Sequence, residues 1–175
     1  MEETKESLRH DFNLAVRSFN ERDYTSFFRN IRPAIELLSK VLILDFIKDE
    51  ETAWDVIDGN LSFYKTSMNG YELQEGDEGY RRKPKPTGKT FPLLISKAYL
   101  YKHNDMCDTT DPAKSRIKRG LESCSSELAR YYDIASGLGN HTDRNLMTPS
   151  VQATACVTFL LGYIDFLNSN GILSN

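Results

Sequence analysis

The stretch DPAKSRIKRGLESCSSELARYYDIASGLG, residues 111–139, carries the most regular hydrophobic pattern in the chain. Ile117, Leu121, Cys124, Leu128, Tyr131, Ala135 and Leu138 follow one another at three- and four-residue steps, so a helix sets all of them on one stripe. Asp111 stands where a helix cap belongs, and Pro112 falls in the first turn, where its missing amide would have gone unpaired anyway. Gly137 and Gly139 are expected to end the helix, because glycine enters left-handed backbone geometry at little cost. Such a stripe must be buried against other elements, and the rest of the sequence supplies mainly helices.

Upstream, Leu8, Phe12, Ala15, Val16 and Phe19 predict a first helix over about residues 4–21. A longer pattern from Tyr24 to Phe46 follows, with Asp23 placed to cap it; Pro33 inside this segment predicts a kink or break near Asn30. Downstream, Thr148-Pro149 opens a last helix that runs to about Asn168, with Gly171 as its stop. Its apolar residues cover almost the whole circumference, which predicts a helix buried on most sides or shared with a second subunit. Its apolar run, Val151 to Leu167, is interrupted by Asp165 and falls short of the ~20 continuous apolar residues of a bilayer span.

The middle of the chain is less periodic. Trp54, Ile57, Leu61, Tyr64 and Met68 favour a helix by spacing, while Asn69-Gly70 suits a short hairpin instead. Glu72, Glu75, Asp77 and Glu78 are followed by Arg81, Arg82, Lys83, Lys85 and Lys89, with Pro84 and Pro86 keeping the backbone extended. This reads as a long surface loop. Thr90 then caps a short helix bearing Phe91, Leu94, Ile95, Ala98 and Tyr101. The expected fold is all-α: an antiparallel bundle of four to six helices in one domain, residues 1–175, with an insertion at about 51–110.

A length of 175 residues with 39% hydrophobic content suffices for one domain with a core. The net charge of −3 supplies no overall positive field, so any nucleic-acid contact must come from a local patch. Cys107, Cys124 and Cys156 are far apart and form no CxxC pair, which argues for reduced structural thiols, no metal and no cofactor. With a charged N-terminus in place of a signal peptide, the expectation is a cytoplasmic protein with no membrane association.

Three constellations are candidates for chemistry. Gly88-Lys89-Thr90 is not a phosphate loop, since that motif requires glycine at position 83, which is lysine here. Arg81, Arg82 and Lys83 suit RNA or nucleotide phosphates, or form a solvated surface. His10 and His103 are expected to be exposed. His141 lies beside Asn140 and three residues before Arg144, so a histidine titrating near neutrality would exchange protons while a guanidinium steadies phosphate charge. The same residues also suit a plain turn, with Asn140 and Asp143 capping helix ends.

Two segments carry a family resemblance. RNIRPAIELLSKVLI, residues 29–43, resembles the HEPN superfamily helix in which an arginine precedes an apolar pair and a glutamate, here Arg32, Ala34, Ile35 and Glu36. LGNHTDRN, residues 138–145, resembles the turn before that family's last helix. The resemblance covers the four long helices and implies a helical homodimer whose catalytic members are metal-independent endoribonucleases. Those members place a histidine a short fixed step beyond an arginine. Here Arg130 stands eleven residues before His141, and Arg144-Asn145 is followed by Pro149 and Ser150 where the histidine belongs. The resemblance therefore implies a non-catalytic module of a defence or toxin-antitoxin type that binds RNA, nucleotide or a partner protein; the phosphate contacts expected beside it are the basic residues Arg81, Arg82 and Lys83, read from their charge, and Arg130. Its alternatives are an endoribonuclease with His141, Arg144 and Asn140 in a composite dimer site, and a structural helical adaptor.

Overall fold

In the computed structural model, residues 2–66, 70–75, 86–140 and 148–173 are described, residues 138–140 by backbone alone. The described elements are α1 (Glu2–Asn20), α2 (Tyr24–Phe46), α3 (Glu50–Asp58), β1 (Leu61–Thr66), β2 (Gly70–Glu75), α4 (Phe91–Lys102), a 3₁₀ turn (Asn104–Met106), α5 (Pro112–Asn140) and α6 (Pro149–Ser169). The chain is thus mostly helical, with one small sheet. Three aspartates start helices as caps. Asp23 Oδ1 accepts from the Ser26 amide at 3.0 Å, Asp49 Oδ2 from the Thr52 amide at 2.9 Å and Asp111 Oδ1 from the Ala113 amide at 2.8 Å. Each satisfies an amide that the first helical turn leaves orphaned. Thr90 instead precedes α4 without a side-chain cap, because its hydroxyl is taken by the Thr87 amide and carbonyl.

Several expectations are corrected. The helix expected through Leu61, Tyr64 and Met68 stops at Asp58, where Gly59 adopts φ +80° and its amide closes on the carbonyls of Asp55 and Val56. That left-handed conformation suits glycine. Beyond it, β1 and β2 pair antiparallel, from Leu61 opposite Glu75 to Thr66 opposite Gly70. Glu72 and Glu75 therefore belong to a strand and not to a loop. α2 runs unbroken through Pro33. The carbonyl freed there belongs to Arg29, an exposed residue where water can take it. α5 passes through Gly137 and Gly139 to Asn140, since a glycine weakens a helix by about 1 kcal/mol but stops it only on leaving helical geometry. His103 is half-buried, tilted on the Tyr99 ring at a centroid distance of 4.5 Å, and burial pushes its pKa down.

The fold divides into two compact units, residues 1–38 with 130–175, and residues 39–129. In the first, α1 and α2 form a helical hairpin. Phe19 meets Tyr24 at 6.2 Å and Phe27 at 5.7 Å between ring centroids, and Asn30 Nδ2 donates to Ser18 Oγ at 3.3 Å. The core of this unit draws on all four of its helices: Ala15, Phe27, Ile35, Ala135, Cys156 and Leu160 are each at most 5% exposed. Of the two expectations for α6, burial on most sides or sharing with a second subunit, the first is not met within the chain. Only 28% of its most apolar 18-residue window is buried, and it is long and apolar enough to cross a bilayer by length and composition.

In the second unit, Phe46 packs edge-on against Tyr99 at 5.2 Å, and the Lys40 ammonium stands 4.7 Å from the centre of the Phe91 ring. The hairpin is docked by Phe63, which is buried and lies 5.9 Å from the Tyr101 ring. The Tyr71 amide donates to Asn104 Oδ1 at 3.1 Å. A Cβ at Gly70 would lie 2.5 Å from that same oxygen, so a larger residue there would displace the Asn104 side chain from the Tyr71 amide.

Candidate functional site

The first unit brings together an arginine and a tyrosine that lie one hundred residues apart in sequence. Arg32 on α2 is half-buried, and its Nε donates to the Tyr132 hydroxyl on α5 at 3.1 Å. Its guanidinium carbon stands 5.3 Å from the centre of the same tyrosine ring. Tyr132 itself is buried, so the contact holds the arginine against a fixed ring and not a mobile surface side chain. Among the described residues no carboxylate pairs with Arg32. Nε is thereby engaged, and among the described residues neither terminal amino group has a hydrogen-bond partner; together they form the fork that matches the two oxygens of a phosphate or carboxylate. The Tyr132 hydroxyl accepts from Nε and keeps its own proton to donate. The cluster is made of donors around one fixed positive charge, which suits recognition of an oxyanion.

Arg130 is exposed, with its guanidinium 5.2 Å from the centre of the Tyr131 ring. Tyr131 stacks on Phe159 at 5.2 Å and Phe159 on Tyr163 at 5.9 Å, so α5 and α6 share an aromatic column beside this arginine. Residues two apart on a helix do not face one another, so Arg130 and Tyr132 leave α5 in different directions. The structure therefore does not unite Arg130 with the Arg32 cluster.

The other sequence candidates fall elsewhere. His141 and Arg144 lie outside the described residues, as do Arg81, Arg82 and Lys83, and Asn140 is described by its backbone alone, as the last residue of α5. The segment that carries His141 follows α5 in sequence and precedes α6; the end of α5 from Arg130 onward and all of α6 belong to the first unit. Sequence reasoning singled out Arg32 through its family resemblance and missed Tyr132. The only local signal for that tyrosine was its place beside Tyr131 on the patterned helix.

All three cysteines are free. Burial raises the pKa of Cys107 and Cys124, and pushes the Cys156 thiol up to about 12. A thiol whose folded pKa exceeds its ordinary value of 9.0 stabilises the fold fully below that value and loses the contribution as pH rises towards 12. At pH 10 the loss is about 1.4 kcal/mol. Urea titrations at pH 8 and pH 10 are expected to show this fall in the wild-type chain and a correspondingly smaller fall in Cys156→Ala; equal falls in both would mean that Cys156 ionises as freely in the fold as out of it. Compared with known proteins, the chain matches no protein-family model, no curated protein and no solved structure.

Proposed function

We propose that the chain is a HEPN-like helical module of a defence or toxin-antitoxin type that binds a phosphate-bearing ligand, RNA or a nucleotide, without cleaving it. The observation that carries this reading is the Arg32 guanidinium, held at Nε by Tyr132 and facing no carboxylate among the described residues. Support for the family comes from where its two motifs fall: Arg32, Ala34, Ile35 and Glu36 lie on one continuous helix, and the segment from Leu138 begins at the end of α5, just ahead of α6.

Binding of labelled single-stranded RNA, followed by fluorescence anisotropy, tests it. Arg32→Ala is expected to weaken affinity about 10- to 100-fold, the roughly 1.5–3 kcal/mol of a hydrogen bond to a charged group. Arg32→Lys restores little, because an ammonium lacks the planar fork. Wild-type affinity in Arg32→Ala, with unchanged circular dichroism, would remove the site. A parallel incubation with RNA in EDTA compares wild type, His141→Ala and Arg144→Ala. The binding reading expects no cleavage by any of them; cleavage lost in both variants would replace it with a metal-independent endoribonuclease.

A further inference from the structure

The second unit holds a small cavity bounded by the end of α3, by β1 and by α4. Its volume is about 180 Å³; Val56, Leu61, Phe63 and Leu94 give it apolar walls, and Ser62 and Lys97 add polar groups to the lining. The walls are fixed by the packing around them. Gly59 turns the chain left-handed after α3 and leads it into β1, where Phe63 is held against the rings of Tyr71 and Tyr101 at 6.4 and 5.9 Å. Leu94 and Lys97 stand three residues apart on α4 and therefore on one side of it. Leu61, Ser62, Leu94 and Lys97 are each half-buried, so these four have surface left for a ligand to cover.

Lys97 gives this cavity its chemical preference. Other lysines of the same unit are engaged: Lys40 lies over the Phe91 ring, Lys114 pairs with Asp105, and Lys118 donates to the Cys107 carbonyl. Among the described residues Lys97 has no hydrogen bond, ion pair or ring contact, and neither does the Ser62 hydroxyl. The Thr90 hydroxyl, also at the cavity, is already taken by Thr87. A half-buried ammonium beside apolar walls is stabilised by an opposite charge brought close to it. We infer that the cavity binds a small monocarboxylic acid with a compact apolar body, its carboxylate on Lys97 and Ser62 and its body against Val56, Leu61, Phe63 and Leu94.

Size and charge narrow the class. An engineered apolar cavity of about 150 Å³ admits benzene, so about 180 Å³ suits a single ring or a short branched chain and nothing much larger. One ammonium balances one negative charge, and the described lining contains no second cation. A lysine is moreover a point charge without the planar fork that arginine offers a phosphate. The cavity lies wholly within residues 39–129, whereas Arg32 belongs to the other unit, so the two sites call for different ligands.

Amide NMR of the full chain, titrated with benzoate and separately with benzamide, tests the inference, since the two probes share a ring and differ in charge. Benzoate is expected to shift the amides of Ser62, Phe63, Leu94 and Lys97 saturably, and to bind about ten-fold more tightly than benzamide, as a hydrogen bond to a charged group allows. Lys97→Met keeps the apolar stem and removes the ammonium. It is expected to lower benzoate affinity about ten-fold, to the level of benzamide, and to leave benzamide unchanged. Lys97→Arg retains the charge and is expected to retain the preference for benzoate. Any of four results overturns the inference: no saturable shift at those amides, equal affinity for the two probes, wild-type benzoate affinity in Lys97→Met, or benzoate binding lost in Arg32→Ala but kept in Lys97→Met. The last would assign the carboxylate to the arginine of the first unit. The inference is independent of the RNA reading: a chain that binds benzoate through Lys97 and no RNA would end that reading and leave this one standing.

Discussion

Replacing Phe27 by alanine is expected to lower the stability of the fold by about 3–5 kcal/mol, as large-to-small substitutions at fully buried aromatic positions do. The ring is 1% exposed and lies 5.7 Å from Phe19 on α1 and 5.1 Å from Phe28. Truncation leaves a cavity at the α1–α2 contact and removes two aromatic pairs, each worth about 0.5–1.5 kcal/mol beyond its buried area. Against a total of about 5–15 kcal/mol this is a large fraction. Phe27→Leu keeps most of the volume and is expected to cost about 1.5 kcal/mol or less. Val16, on the apolar pattern of α1 but 55% exposed, should change stability by under about 0.5 kcal/mol when cut to alanine. The check is the urea midpoint by far-UV circular dichroism with the slope unchanged. A Phe27→Ala loss no greater than that of Val16→Ala would mean the hairpin does not pack as described.

Tyr132 is expected to separate a structural from a positioning role. Tyr132→Ala removes a ring that is 7% exposed and should cost about 3–5 kcal/mol. Tyr132→Phe keeps the ring beside the guanidinium but deletes the oxygen that accepts from Arg32 Nε. Its cost to the fold is about 1 kcal/mol, and RNA affinity should fall several-fold, because the fork is no longer held in one orientation. Combining Tyr132→Phe with Arg32→Ala should then cost less affinity than the sum of the two, since both act on one contact. Additive losses would mean that the tyrosine does not position the arginine.

The helix starts were legible in the sequence, because a cap acts within one turn. Asp23 and Asp111 each bond an amide two or three residues ahead, wherever the rest of the chain lies. The hairpin was less legible. Leu61 and Tyr64 suit a helical step as well as they suit a six-residue strand, and the difference was settled by Gly59 turning left-handed and by Phe63 finding Tyr101. Pro33 and Gly137 were read as breaks, yet both lie inside helices, because packing along those helices outweighs a local penalty of a few kcal/mol or less.

The candidate site was half legible. Arg32 stood out in its motif, but nothing near it in sequence names Tyr132, and the apolar count of α6 does not say which of its sides is covered. The sequence by itself determined the four long helices and the short one after Thr90, where they begin, and that no motif places a histidine at the catalytic step from an arginine. Only the tertiary structure decided that Tyr132 holds Arg32, that β1 pairs with β2, and that α6 keeps an apolar face in solvent. Capping and periodicity are governed by neighbours a turn away, whereas burial and pairing depend on which distant surfaces meet, and that is a property of the packed chain alone.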